Sequence, residues 1–266
     1  CMEVVRRWQA EGRIGHVGFS THGPTALIAQ ACDSGAFDYV NLHWYYIRQD
    51  NGPALTAARE RDMGVFLISP TDKGGHLHSP SPRLLELCEP LHPIVFNDLF
   101  CLSDPRVHTI SVGAARPSDL DLHLQALELL DQAPQLLSPI EQRLQQGLKE
   151  RLGEAWMQSW QQGLPSWQDT PGEINLPVLL WLHTLLQGWD LESFAQARYG
   201  LLGNGSHWFP GRNANRFEAG PKEPDAVCEA QLLEVLAASP WQQQIPGILR
   251  QMKARLGQKS VKRLGP

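Results

Sequence analysis

Four apolar stretches, each followed by a loop bearing Gly, Pro or Asp and then by a helical stretch, constrain this chain most. They are the run that ends GFSTHG at Gly23, then Tyr39 to His43, Val65 to Ser69, and Val107 to Gly113. Strands that alternate with helices predict a parallel sheet with helices packed outside it. A helix is predicted ahead of the first strand, over Cys1 to Gln9, with Val4, Val5 and Trp8 on one face. A closed parallel barrel takes eight such units and about 250 residues. Four units therefore predict an α/β chain holding the carboxyl-terminal half of a (β/α)8 TIM barrel, as part of a longer protein.

The texture changes near Ala133-Pro134, which divides the chain into an expected half barrel at 1–132 and an all-α domain at 133–266. Before the boundary a helix is expected from Asp119 to Leu130, with Leu120, Leu122, Leu124, Leu127 and Leu130 forming one apolar face. After it, Ser138-Pro139-Ile140-Glu141 has the form of an N-cap, a proline in the first turn and an early acidic residue. That start predicts a long helix to about Gln162, followed by helices near 176–188, 191–202, 226–238 and 243–256.

Composition excludes several classes of function. The 266 residues are 42% hydrophobic and carry a net charge of -5, which gives no electrostatic footprint for nucleic acid or an anionic membrane. The longest apolar run, Leu176 to Leu186, is broken by Pro177, His183 and Thr184 and falls short of the roughly 20 residues of a membrane span. Five scattered cysteines, an odd number, speak against a disulfide framework, and no secretory signal is visible, so a cytoplasmic protein is expected. His76 and His78 read as a solvated turn, and no metal site is expected.

The strand ends HVGFSTHG (His16 to Gly23), YVNLHWYY (Tyr39 to Tyr46), VFLISPTDKGGHL (Val65 to Leu77) and HTISVGAARPSDLD (His108 to Asp121) resemble, in order, the fifth to eighth strands of the aldo/keto reductases. The tail segments TPGEINLPVLL (Thr170 to Leu180) and ARYGLLGNGSHWFPG (Ala197 to Gly211) resemble those of a bacterial subgroup with an extra helical domain. Many members of that subgroup hold an iron-sulfur cluster on closely spaced cysteines. Here the tail has Cys228 alone and no C-x-x-C, so no iron-sulfur cluster is expected.

The resemblance implies a cofactor, NADP, and a small-molecule carbonyl substrate. Ser20, Thr21 and Asn41 fall where the family has the Ser, Asn and Gln that hold the nicotinamide amide, with Thr21 and Asn41 as departures. Trp44 falls where an aromatic stacks on the nicotinamide. Ser69, Pro70 and Thr71, with Lys73 and Gly74, fall on the loop that drapes over the pyrophosphate, Thr71 standing in place of Leu. Gly113, Ala114 and Arg116 fall on the loop that receives the adenosine ribose, where the guanidinium of Arg116 favours NADP over NAD.

The family's catalytic Asp, Tyr, Lys and His come from the first four strands, so the resemblance assigns no catalytic residue to this chain. His43, Tyr45, Asp72 and Lys73 have the right types on the wrong strands and are left unassigned. Two readings follow: an NADP-dependent oxidoreductase completed by an N-terminal half barrel, or a non-catalytic half-barrel module for binding or assembly.

Overall fold

The alternation within YVNL and GVFLI decides the first part of the fold. In a computed structural model, which describes residues 1–204, 209–220 and 226–257, Val40, Leu42, Val65 and Leu67 are fully buried. Tyr39, Asn41, Phe66 and Ile68, which alternate with them, keep part of their surface exposed. A period of two places the first set on one face of a sheet and the second on the other. The strands are β1 (Gly18–Ser20), β2 (Tyr39–Leu42), β3 (Gly64–Ile68) and β4 (Thr109–Ser111), paired in parallel in that order. Register sets Ser20 beside Asn41 and Ile68 beside Ser111. Among the described residues β1 and β4 are the edges of the sheet.

Helices fill the connections, as parallel pairing requires. α1 (Met2–Ala10) precedes β1, α2 (Thr25–Asp33) follows β1, and α3 (Gly52–Glu60) follows β2. After β3 come α4 (Pro70–Lys73), α5 (Pro82–Cys88) and α6 (Pro93–Ser103), and after β4 a 3-10 turn at Pro117–Leu120 leads into α7 (Asp121–Glu128). α6 is buried on nearly every side, and its Asn97 and Asp98 are buried with the rest. A buried carboxyl needs a hydrogen-bond partner. His123 of α7 supplies it, with Nδ1 against the Asp98 carboxylate. Burial pushes the Asp98 carboxyl up, while the His123 contact pulls it back down.

That contact corrects the expected face of α7. His123 and Ala126 are buried, whereas Leu120, Leu124 and Leu127 are 40%, 55% and 55% exposed. His123 faces Asp98 and Ala126 is buried beside it, while Leu124 and Leu127 fall on the flank of the helix turned away from Ala126.

The remaining helices are α8 (Ala133–Leu152), α9 (Glu154–Ser159), α10 (Leu176–Trp189), α11 (Glu192–Leu201), α12 (Glu229–Val235) and α13 (Ile245–Leu256). The start of α8 differs from expectation, since the helix begins at Ala133 and carries Pro139 inside it. An interior proline costs about 3 kcal/mol. The buried stripe Ala133, Leu137, Ile140, Leu144 and Leu148 offsets that cost, since each buried aliphatic side chain contributes about 1.5–3 kcal/mol. Gly153, at φ 85, stops the helix ten residues short of the end expected from sequence.

Residues divide into two compact units, 1–80 with 88–141, and 81–87 with 142–266. In the second unit α10 is buried on most sides, as its run LPVLLWLHTLLQGW demands. Asn175 caps it, accepting from the Val178 N–H at 3.1 Å while its own amide donates to the Pro210 carbonyl at 2.7 Å. Backbone bonds from Arg212 to Glu173 and from Asn175 to Arg212 tie the TPGEIN and FPGR segments together. Residues 205–208, in the middle of the second tail segment, lie outside the described residues. Ser81 and Arg83 donate to the carbonyls of Trp189 and Gly188, which fastens 81–87 into this unit. No described helix is long and apolar enough to cross a membrane.

Candidate active site

Parallel pairing sends the carboxyl ends of all four strands to one mouth, where loops converge on any ligand. β1 delivers Ser20, Thr21 and His22 there, β2 delivers His43, and β3 delivers Ser69 and the short helix α4. Ser20 and Asn41 are register partners and so lie side by side on the sheet face that helices leave half-exposed. Thr21 is engaged locally, its hydroxyl accepting from the Gly23 N–H at 2.9 Å. Trp44 lies in the core, 5% exposed, and one face of its indole is stacked on Phe100 of α6 at 4.8 Å. That packing takes up a face that a nicotinamide would need.

The SPTDKGG segment is a turn of helix rather than an open cradle. Ser69 sits in the left-handed region at φ 50, which starts α4 directly off β3. The N–H groups of Lys73, Gly74 and Gly75 donate to Ser69, Pro70 and Asp72. These amides are therefore committed within the chain, and Lys73 has only its side chain to offer a ligand. Pro70 and Thr71 are buried, with the Thr71 hydroxyl unpartnered. Gly74 is required by a close approach, since a Cβ there would lie 2.1 Å from the Pro70 carbonyl oxygen.

Lys73 belongs to a cluster that sequence spacing did not single out. Tyr45 is fully buried and its hydroxyl donates to the Ile68 carbonyl. Its one proton is then used, so it accepts from His43 Nδ1–H at 2.5 Å. His43 Nε2 is left as an acceptor, and the Lys73 ammonium donates to it at 3.3 Å. The His22 ring lies 4.6 Å from the His43 ring. Burial first, then the neighbouring Lys73 and His22, hold the His43 imidazole down at about 3, so it is neutral at pH 7. His22 carries no signal in the sequence beyond its place two residues past β1.

After β4, Gly113 and Ala114 lead to Arg116, whose guanidinium pairs with Asp119 at 2.9 Å. The backbone N–H groups of Ala115 and Arg116 donate to the same carboxylate at 3.0 and 3.2 Å. Asp119 thus takes up the guanidinium that the resemblance offers to a ribose phosphate, and Arg116 with the two amides holds its carboxyl below the usual range. Elsewhere, His76 pairs with Asp72 at 3.3 Å, and no three metal-ligating side chains converge among the described residues. In the second unit a cavity of about 490 Å³ opens beside Glu173 and Arg212, which pair with each other at 3.2 Å. Compared with known family models, curated proteins and solved structures, the chain finds no match.

Proposed function

We propose that this chain is part of a cytoplasmic, NADP-dependent oxidoreductase of the aldo/keto reductase type, which reduces a carbonyl substrate by hydride transfer. The observation that supports the reading most is the side-by-side placement of Ser20 and Asn41 at the mouths of adjacent parallel strands, two residues from His43 and its Lys73 contact. An amide-holding pair next to a cation suits a nicotinamide dinucleotide. The catalytic acid and its partners come, on this reading, from βα units outside the chain described. The chain's own residues bind and orient: Ser20 and Asn41 take the carboxamide, and Arg116 takes the 2'-phosphate once Asp119 yields it.

Arg116 and Asp119 give the test. Replacing Arg116 with Ala should weaken NADPH by about tenfold or more, because a charge-assisted contact contributes about 1.5–3 kcal/mol. Asp119→Asn should strengthen NADPH severalfold by freeing the guanidinium. NADH should be indifferent to both. Fluorescence titration reads all four affinities, and equal effects on the two cofactors would remove the 2'-phosphate from Arg116.

A second reading, a non-catalytic half-barrel module, is favoured by one observation. Among the described residues β4 is an edge of the sheet, and Leu120, just before α7, and Leu124 and Leu127 within it are exposed. An open ladder beside an apolar helix face is suited to another βα unit. Leu124→Glu with Leu127→Glu should leave the melting temperature of the isolated chain nearly unchanged and abolish any self-association seen by sedimentation. A large fall in stability would show that the two leucines are covered.

A further inference from the structure

We propose that the cavity beside Glu173 and Arg212 is a binding site for a zwitterionic α-amino acid with an apolar side chain. It lies within the second unit and is independent of the reductase reading. At about 490 Å³ it falls in the range of small-molecule sites. Glu173, Arg212 and Gln231 supply the polar part of its wall, and Pro171, Ala226 and Val227 the apolar part. Two backbone bridges fix these segments, Ile174 with Arg212 and Phe217 with Val227. The Arg212 N–H donates to the Glu173 carbonyl at 2.8 Å, and the Val227 N–H to the Arg216 carbonyl at 2.9 Å.

The polar groups of this wall are only half used. Glu173 Oε2 accepts from Arg212 Nε at 3.2 Å, and among the described residues neither Glu173 Oε1 nor the two Nη groups of Arg212 meet another partner. Gln231 Oε1 accepts from the Cys228 N–H at 3.0 Å in the capping box of α12. That bond needs an acceptor, so it orients the amide and leaves Nε2 as a donor. The wall thus offers a planar cationic fork and an amide donor to a carboxylate, and beside them a carboxylate oxygen to an ammonium. A lone anion would gain Arg212 and be repelled by Glu173, and a lone cation the reverse. A zwitterion gains both, because its two charges face their opposites. Glu173 takes its place from a left-handed backbone, φ 57, directly after Gly172 at φ 64. That conformation costs a residue with a side chain and recurs at ligand sites.

L-leucine is the probe, and calorimetric titration into the full chain should show saturable binding. Blocking either charge of the ligand should cost about tenfold, the value of one charge-assisted contact. N-acetyl-leucine loses the ammonium, and leucine methyl ester loses the carboxylate. Aspartate, whose side chain carries a charge to the apolar wall, should also bind at least about tenfold more weakly than leucine. The variants then separate the two ends. Glu173→Gln should weaken leucine about tenfold without weakening N-acetyl-leucine, and Arg212→Gln should weaken leucine as far without weakening the methyl ester. Gln231→Glu keeps an acceptor for the Cys228 N–H, so the cap survives, while it sets a negative charge against the ligand carboxylate, and leucine affinity should fall. No saturable binding at millimolar leucine overturns the proposal. Equal binding of leucine and either blocked form, or of leucine and aspartate, overturns it as well. The blocked ligands are titrated into the unchanged chain, so that arm stands even if a variant fails to fold.

Discussion

Between pH 7 and pH 4 each unit is expected to lose about 3 kcal/mol of stability through one buried histidine. In the first unit His43 is held down at about 3 by burial, Lys73 and His22. In the second, burial alone holds His183 down at about 4, with its ring against Trp156 at 5.5 Å. Both groups have folded values below the unfolded value of 6.5, so the unfolded chain binds the proton more tightly. Their contribution is complete above pH 6.5 and is lost as pH falls toward 3 and 4. Asp98 runs the other way, because its raised value favours the folded state at low pH and that benefit fades as pH rises. Acid loss that begins just below pH 6.5 is therefore a histidine signature. Thermal melts from pH 7.5 to 4 should slope in that window, and His43→Gln and His183→Gln should each flatten one transition. Stability that stays level from pH 6.5 to 5 in the parent chain would sink the prediction.

Local pattern was legible in the sequence and long-range polar contacts were not. YVNL and GVFLI alternate, and the alternation is what a sheet with one buried face requires, so β2 and β3 fall within a residue of expectation. The run after Asn175 is apolar at nearly every position, so α10 could be placed, although the Asn175 cap was not read from the sequence. α7 could not be oriented. The leucines at 120, 122, 124, 127 and 130 outvote one histidine in any periodicity, yet His123, which meets Asp98 25 residues away, lies on the buried side. The start of α8 was hidden for a related reason, since Ser138-Pro139 is a sound local start signal and a buried stripe that begins six residues earlier overrides it. At the mouth of the sheet the same limit applies. Ser20, Asn41 and Lys73 could be named from their places after strands, whereas the contact of Lys73 with His43 spans 30 residues and depends on a tautomer set by Tyr45.

Tyr45→Phe is expected to cost about 2–4 kcal/mol, although it removes a single oxygen. The ring stays, so no cavity opens and the transfer of apolar surface hardly changes. The loss comes from two groups that the hydroxyl serves at once. The Ile68 carbonyl loses the hydroxyl as a donor, and the His43 imidazole, 3% exposed, loses the hydroxyl as an acceptor. A buried polar group left unpaired costs about 1–3 kcal/mol. Moving the imidazole proton to Nε2 would face the Lys73 ammonium with a donor instead of an acceptor. Urea unfolding should show a lower midpoint at unchanged slope, the mark of lost stability without a change in the surface exposed. A midpoint shift worth less than about 0.5 kcal/mol, within the range of ordinary surface substitutions, would mean that the Tyr45 hydroxyl is not the hub of this cluster.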